Sequence, residues 1–219
     1  MTTLALDAAE RGILPDPIIR FGIRRLLRQR LQEASTPGAT EEFIESLCRE
    51  PVALVPELAN AQHYEVPTEF FRLALGPWRK YSCCYFDHPT DTLAQAEEAM
   101  LRLTSERAGI EDGMNVLDLG CGWGAATLWI AKHYPRCRVR AISNSSTQRE
   151  AILSRARDLE LTNVEVDTAD VSTFDPGAQF DRIVSVEMFE HMRNVPQLLD
   201  RVAGWLRPDG RLSVHIFCH

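Results

Sequence analysis

Nine residues, Val116-Leu117-Asp118-Leu119-Gly120-Cys121-Gly122-Trp123-Gly124, constrain the fold of this chain more than any other stretch. They read as a buried strand that breaks into a glycine-rich turn and opens a helix from Ala125 to Lys132. Gly120, Gly122 and Gly124 can take backbone angles closed to other residues and let a ligand approach the main chain. The helix start behind them aims free N–H groups at whatever sits there. The turn therefore predicts a nucleotide-type site, and a tight strand-to-helix turn with no ligand is the plain alternative.

Asp118 narrows the ligand. A carboxylate at the strand end repels a pyrophosphate but suits a ligand carrying an ammonium and a sulfonium, which is what S-adenosylmethionine presents. The rival is a dinucleotide, because Gly120, Gly122 and Ala125 fit the G-x-G-x-x-A fingerprint. Against it, the next strand ends at Asn144, where a ribose-binding acid is wanted. Asn144 can still bond a ribose hydroxyl.

From Gly113 onward, strands near 115–119, 138–143, 164–168, 181–186 and 211–217 alternate with helices near 125–133, 147–160 and 195–206. That alternation is the signature of an α/β fold with a mostly parallel sheet and helices on both faces. Ligands in such folds bind beyond the carboxyl ends of the strands, which gathers Asp118 to Gly124, Asn144, Asp170 and Glu187 to His191 around one crevice. The domain expectation is a loose N-terminus over 1–15, a helical region with a covering loop over 16–92, and a Rossmann-like domain over 93–219. Helices are expected over 18–33, from Thr40, over 68–75 and over 93–108, with an ordered loop at 78–86. In the first, Arg20, Arg24, Arg25, Arg28 and Arg30 form a polar face that is either solvated or in touch with lipid headgroups.

Glu187-Met188-Phe189-Glu190-His191 leaves the fourth strand with two carboxylates and an imidazole. These groups can take a proton, orient an amine or stabilise a cation, or they can simply cap and salt-bridge a helix start. Asp170 is either an acceptor for adenine's amine or a turn cap. Glu187 with His191 makes half a metal site without further ligands, so no metal is expected. His215 reads as a hydrogen-bonded strand histidine, with Phe217 and His219 on its face and Cys218 on the other. Cys83 and Cys84 read as packing residues, since no basic neighbour that would activate them stands out. Six cysteines without a C-x-x-C pair point to reduced thiols, and the lack of a signal-like start points to the cytoplasm. A net charge of -7 argues against nucleic acid, and no apolar run is long enough to span a membrane.

Six segments together carry a family resemblance: Asn60 to Tyr64, Lys80 to Phe86, Val116 to Gly124, Ser143 to Gln148, Val186 to Met192 and Val214 to His219. Through them the chain resembles the cyclopropane fatty acid synthase group of S-adenosylmethionine-dependent methyltransferases, in the branch like coclaurine N-methyltransferase. The resemblance implies a class I methyltransferase with S-adenosyl-L-methionine as cofactor. It implies that Tyr81 and Ser82 lie near the methionine end, Gly120 and Gly122 beside its carboxylate, Asn144 and Gln148 at the ribose, and Asp170 with Val171 at adenine. Glu187, Glu190 and His191 would face a small acceptor amine. In the cyclopropane branch Cys83, Glu190 and His215 would instead hold a bicarbonate, and the acceptor would be an unsaturated phospholipid chain. Relatives continue beyond the strand that ends at His219, so a truncated form with its last strands missing is expected. That form would expose an apolar sheet edge prone to self-association, or serve as an inactive binding module.

Overall fold

The computed structural model describes residues 2–35, 38–53 and 68–217. The chain divides into two compact units, Met1–Leu47 and Cys48–His219. The first unit holds three helices, α1 (Thr2–Glu10), α2 (Asp16–Ala34) and α3 (Ala39–Leu47). Helix α1 lies where the sequence shows no apolar periodicity. Leu6, Ala8, Ala9 and Glu10 are strong helix formers, and Arg11 closes an i,i+4 pair with Asp7 at 2.9 Å. Helix α2 starts at Asp16-Pro17, where proline's missing N–H costs nothing.

The second unit is built on one five-stranded sheet: β1 (Asn115–Leu119), β2 (Arg138–Ser143), β3 (Val164–Thr168), β4 (Phe180–Val186) and β5 (Leu206–His215). Their order is β3-β2-β1-β4-β5, and every neighbouring pair is parallel. The helices are α4 (Thr68–Ala74), α5 (Leu93–Ala108), α6 (Ala125–His133), α7 (Ser146–Asp158) and α8 (Val195–Trp205), with a 3-10 turn at Phe189–His191. Helix α5 has firm ends. Thr92 and Gln95 exchange side-chain and backbone bonds in a capping box, and Gly109 closes the helix.

Alternation along the strands makes two cores. Val116, Val139, Ala141, Val166 and Val184 face one side, where they meet Leu128 and Ile130 of α6 and Ile152 and Ala156 of α7. Leu117, Leu119, Ile142 and Ile183 face the other, against Leu198, Val202 and Trp205 of α8. Both faces are covered at the centre, where β1 and β4 carry buried runs, Val116 to Leu119 and Ile183 to Ser185, while charged residues interleave in β2 and β3.

Strand β5 differs from its expected span of 211–217. It pairs first at Leu206 with Phe180, bulges through Pro208-Asp209-Gly210, and resumes at Arg211 opposite Arg182. Turn-forming residues hid the early part, and the ladder ends at His215. β5 is the edge of the described sheet.

Candidate functional site

The sheet order reverses direction between β1 and β4, and the turns leaving those two strands face each other there. The turn after β1 is held open by backbone geometry. Gly120 has φ +86, and a Cβ on it would stand 2.6 Å from Met188 Cγ. Gly122 has φ +52, and a Cβ there would have nothing within 4 Å, because its α-carbon borders a cavity.

That cavity, of about 330 Å³, is lined by Arg79, Lys80, Tyr81 and Ser82, by Asp118 and the turn from Gly120 to Trp123, and by Glu187, Glu190, His191 and Phe217. Asp118 is its deepest acid, 2 % exposed. Thr127 of α6 donates its hydroxyl to Asp118 Oδ2 at 2.6 Å. Burial pushes the Asp118 carboxyl up to about 6, against the opposing pull of the Thr127 bonds and the Lys80 charge.

Lys80 is 5 % exposed, a burial rare for lysine. Its Nζ donates to Ser82 Oγ, and burial lowers its affinity for the proton. The loop carrying it hangs from Glu97 of α5, a fully buried carboxylate. Its two oxygens accept the N–H groups of Trp78 and Lys80, both at 2.9 Å. The same loop packs Tyr81 edge-on against Phe71, which in turn lies 4.6 Å from the Trp123 ring.

The opposite rim is also fixed by the backbone. Glu187 sits in the left-handed region at φ +51 and donates its N–H to the His215 carbonyl at 2.7 Å. A non-glycine residue in that region marks stored strain of the kind found at working sites. Glu187 Oε1 accepts the Cys83 N–H at 3.4 Å, and Cys83 Sγ lies 3.5 Å from His215 Nε2. Glu190 Oε1 accepts the Phe217 N–H at 2.6 Å.

One cavity thus brings together Tyr81, Ser82, Asp118, Gly120, Gly122, Glu187, Glu190 and His191. Cys83 and His215 stand behind Glu187, outside the lining. The ends of β2 and β3 carry the remaining candidates. Gln148 is 2 % exposed, and its Oε1 accepts from Ser143 Oγ at 2.6 Å. Its Nε2, like Trp123 Nε1, is buried without a partner among the described residues. Asn144 is exposed just past β2. Asp170 caps the turn after β3 by accepting the Ser172 N–H at 2.8 Å, so the capping geometry is present. Val171 packs toward the second core and gives its carbonyl to Arg201.

Cys83 and Cys84 do have a basic neighbour, Lys80, three and four residues back. Burial nevertheless outweighs its charge, and both thiols are pushed up. Lys80, Thr127 and Glu97 did not stand out in the sequence. In the sequence, Lys80 is only the first residue of the Lys80 to Phe86 segment, with no role attached. The segment Asn60 to Tyr64 and the pair Cys218 and His219 lie outside the described residues. Among the described residues no helix is long and apolar enough to cross a membrane, and Cys48, Cys83, Cys84, Cys121 and Cys137 are free thiols.

Comparison with known proteins points one way. The family model described as mycolic acid cyclopropane synthetase matches residues 56–219. An (S)-coclaurine N-methyltransferase from Thalictrum flavum subsp. glaucum is 42% identical over 98% of this chain and 61% of its own length. A crystal structure of coclaurine N-methyltransferase bound to N-methylheliamine and SAH superposes with a TM-score of 0.90 at 42% identity. It covers 100% of this chain and 65% of the other. A cyclopropane-fatty-acyl-phospholipid synthase from Escherichia coli (strain K12) is 33% identical over 72% of this chain and 40% of its own length. The chain therefore spans about three fifths of the length of the N-methyltransferases it matches.

Proposed function

The chain belongs to the mycolic acid cyclopropane synthetase family, and from that premise we propose that it is an S-adenosylmethionine-dependent N-methyltransferase acting on a small amine of the coclaurine or benzylisoquinoline kind. The observation that carries this reading is a single cavity with buried Asp118 on one side and Glu187, Glu190 and His191 on the other. Three carboxylates facing Arg79 and Lys80 suit a cationic donor and an ammonium acceptor better than two anions.

The residues present fit the cofactor. Gly122 offers a backbone that a ligand can approach, Asp118 suits an ammonium, and two buried N–H groups, on Trp123 and Gln148, await acceptors. Tyr81, Ser82, Asp118, Gly120 and Gly122 would hold its methionine end, Asn144 and Gln148 its ribose, and Asp170 with Val171 its adenine. When bound, the cofactor supplies a methyl group on a sulfonium, an electrophile for a neutral amine.

The chain's own work is to present that amine with its lone pair free. One of the pair Glu190 and His191 takes the single ammonium proton and passes it to solvent, and Glu187, its backbone pinned to β5, holds the nitrogen in line. A positioned base contributes roughly 10²–10⁴-fold in rate, and the alignment itself contributes further. Tyr81 and Phe217 add aromatic surface to the cavity wall, against which the acceptor's apolar part would pack.

Methyl transfer to a lipid alkene is the second reading, favoured by the approach of Cys83 to His215. Glu187 counts against it, because its carboxylate adjoins both groups and would repel a bicarbonate placed between them. Calorimetry with S-adenosylhomocysteine and with NAD, joined to a labelled-methyl assay offering secondary amines or unsaturated phospholipid vesicles, tests the proposal. S-adenosylhomocysteine binding and labelled amine are expected. NAD binding without it, or label in the vesicles alone, would overturn the reading.

A further inference from the structure

Behind the rim of the cavity, Cys83 Sγ, a Glu187 carboxylate oxygen and His215 Nε2 converge within 4.8 Å of one another. We propose that these three side chains form a binding site for a divalent zinc-type cation, with its fourth position open. A thiolate, an imidazole and a carboxylate are the ligand types such ions select, and three protein ligands with one open position is a familiar arrangement for them. The spacing agrees. Zinc–sulfur and zinc–nitrogen bonds of about 2.3 and 2.0–2.1 Å at a tetrahedral angle put the two ligand atoms about 3.6 Å apart. Sγ and Nε2 are already 3.5 Å apart.

The ligands also sit on a firm frame. Glu187 and His215 follow or end adjacent parallel strands and are tied by the 2.7 Å bond between Glu187 N–H and the His215 carbonyl. Cys83 is carried by the loop anchored at Lys80 to Glu97. Binding forms a metal–sulfur bond and breaks the thiol S–H bond, releasing that proton to solvent. Lys80, whose Nζ is engaged with Ser82, is the nearby charge that opposes the ion. In the sequence, Glu187 pairs with His191, four residues away, as half a metal site. The actual neighbours are 104 residues before it, in Cys83, and across the strand pair in His215.

The consequence rests on the function proposed above: an ion on Glu187 withdraws the carboxylate that holds the amine, so zinc inhibits by competing with the acceptor and leaves the cofactor alone. Cobalt(II) titrated into the reduced full chain tests the site without any activity. One equivalent is expected, with a thiolate-to-metal charge-transfer band and the strong visible bands of a four-coordinate ion, displaced by zinc. Cys83→Ser should abolish the charge-transfer band. His215→Ala should weaken binding on the order of tenfold or more, whereas Cys48→Ser and Cys84→Ser should retain both. No binding, or a charge-transfer band that survives in Cys83→Ser, would overturn the proposal. Binding through these ligands without competition against the amine supports the site and counts instead against the role given to Glu187.

Discussion

Replacing Asp118 by Asn should make the protein more stable and less able to bind its cofactor. Burial raises the Asp118 carboxyl from 3.8 to about 6. Between those values the folded chain keeps a proton that the unfolded chain has released. The stabilising effect of that proton is complete below pH 3.8 and is lost as pH rises through about 6. At about 1.4 kcal/mol per pH unit, the window amounts to roughly 3 kcal/mol. Asn keeps the shape and an oxygen for the Thr127 hydroxyl but has no charge to bury. Asp118→Asn should therefore match the parent near pH 4 and exceed it by up to roughly 3 kcal/mol near neutrality, on the order of 6–12 °C in Tm for a unit of this size. Thermal melts across pH, with and without S-adenosylhomocysteine, measure both halves. Taking the variant against the parent cancels Asp112 and Asp181, whose arginine partners and backbone N–H donors hold them low in both. A variant less stable than the parent at neutral pH, or one that keeps the full ligand-induced rise in Tm, would refute the reasoning.

Gly122→Val places a branched side chain at φ +52, costing about 1–2 kcal/mol. It should abolish S-adenosylhomocysteine binding in calorimetry while the circular dichroism stays native; measurable affinity would sink the backbone-approach argument. Glu190→Gln and His191→Ala should each lower kcat on amines about 10²–10⁴-fold with cofactor affinity little changed, and parental turnover in either would remove that residue from the mechanism. Glu97→Ala strands the N–H groups of Trp78 and Lys80 at about 1–3 kcal/mol each. Amide exchange at residues 78–86 should accelerate, and unchanged protection would show that the loop has another anchor. Cys83→Ser should be mild for amine methylation and severe for a bicarbonate-dependent cyclopropane synthesis, read in the same labelled-methyl assay.

Much of the sheet was legible because short β-branched stretches, apolar in β1 and β4 and interleaved with charge in β2 and β3, alternate with helical segments and are bounded by turns. Val116 to Leu119, Arg138 to Ser143 and Val164 to Thr168 begin and end where their composition changes. The start of β5 was hidden because Pro208, Asp209 and Gly210 form a bulge inside a ladder, not a loop before it. Helix α1 was missed because its alanines give propensity without an apolar stripe. In the site, Asp118 was readable from its place at a strand end beside three glycines. Glu97 was not, since its role depends on a loop 17 and 19 residues earlier folding back onto its helix. The grouping of Cys83 with His215, 132 residues apart, is likewise a product of strand pairing that no local spacing records.

The reversal of strand order between β1 and β4 divides labour within the molecule. Groups assigned to the methyl donor issue largely from β1, β2 and β3, and those assigned to the acceptor from β4 and β5, with the Glu97-anchored loop between. The glycine turn after β1 and the Glu187 to His191 segment after β4 meet at the cavity. Substitutions beyond the ends of β4 and β5 can therefore redraw the acceptor pocket while β1 and its glycine turn stay as they are. On the function proposed above, a scaffold partitioned in this way would change its methyl acceptor by altering one half of its sheet, leaving the donor half under independent selection.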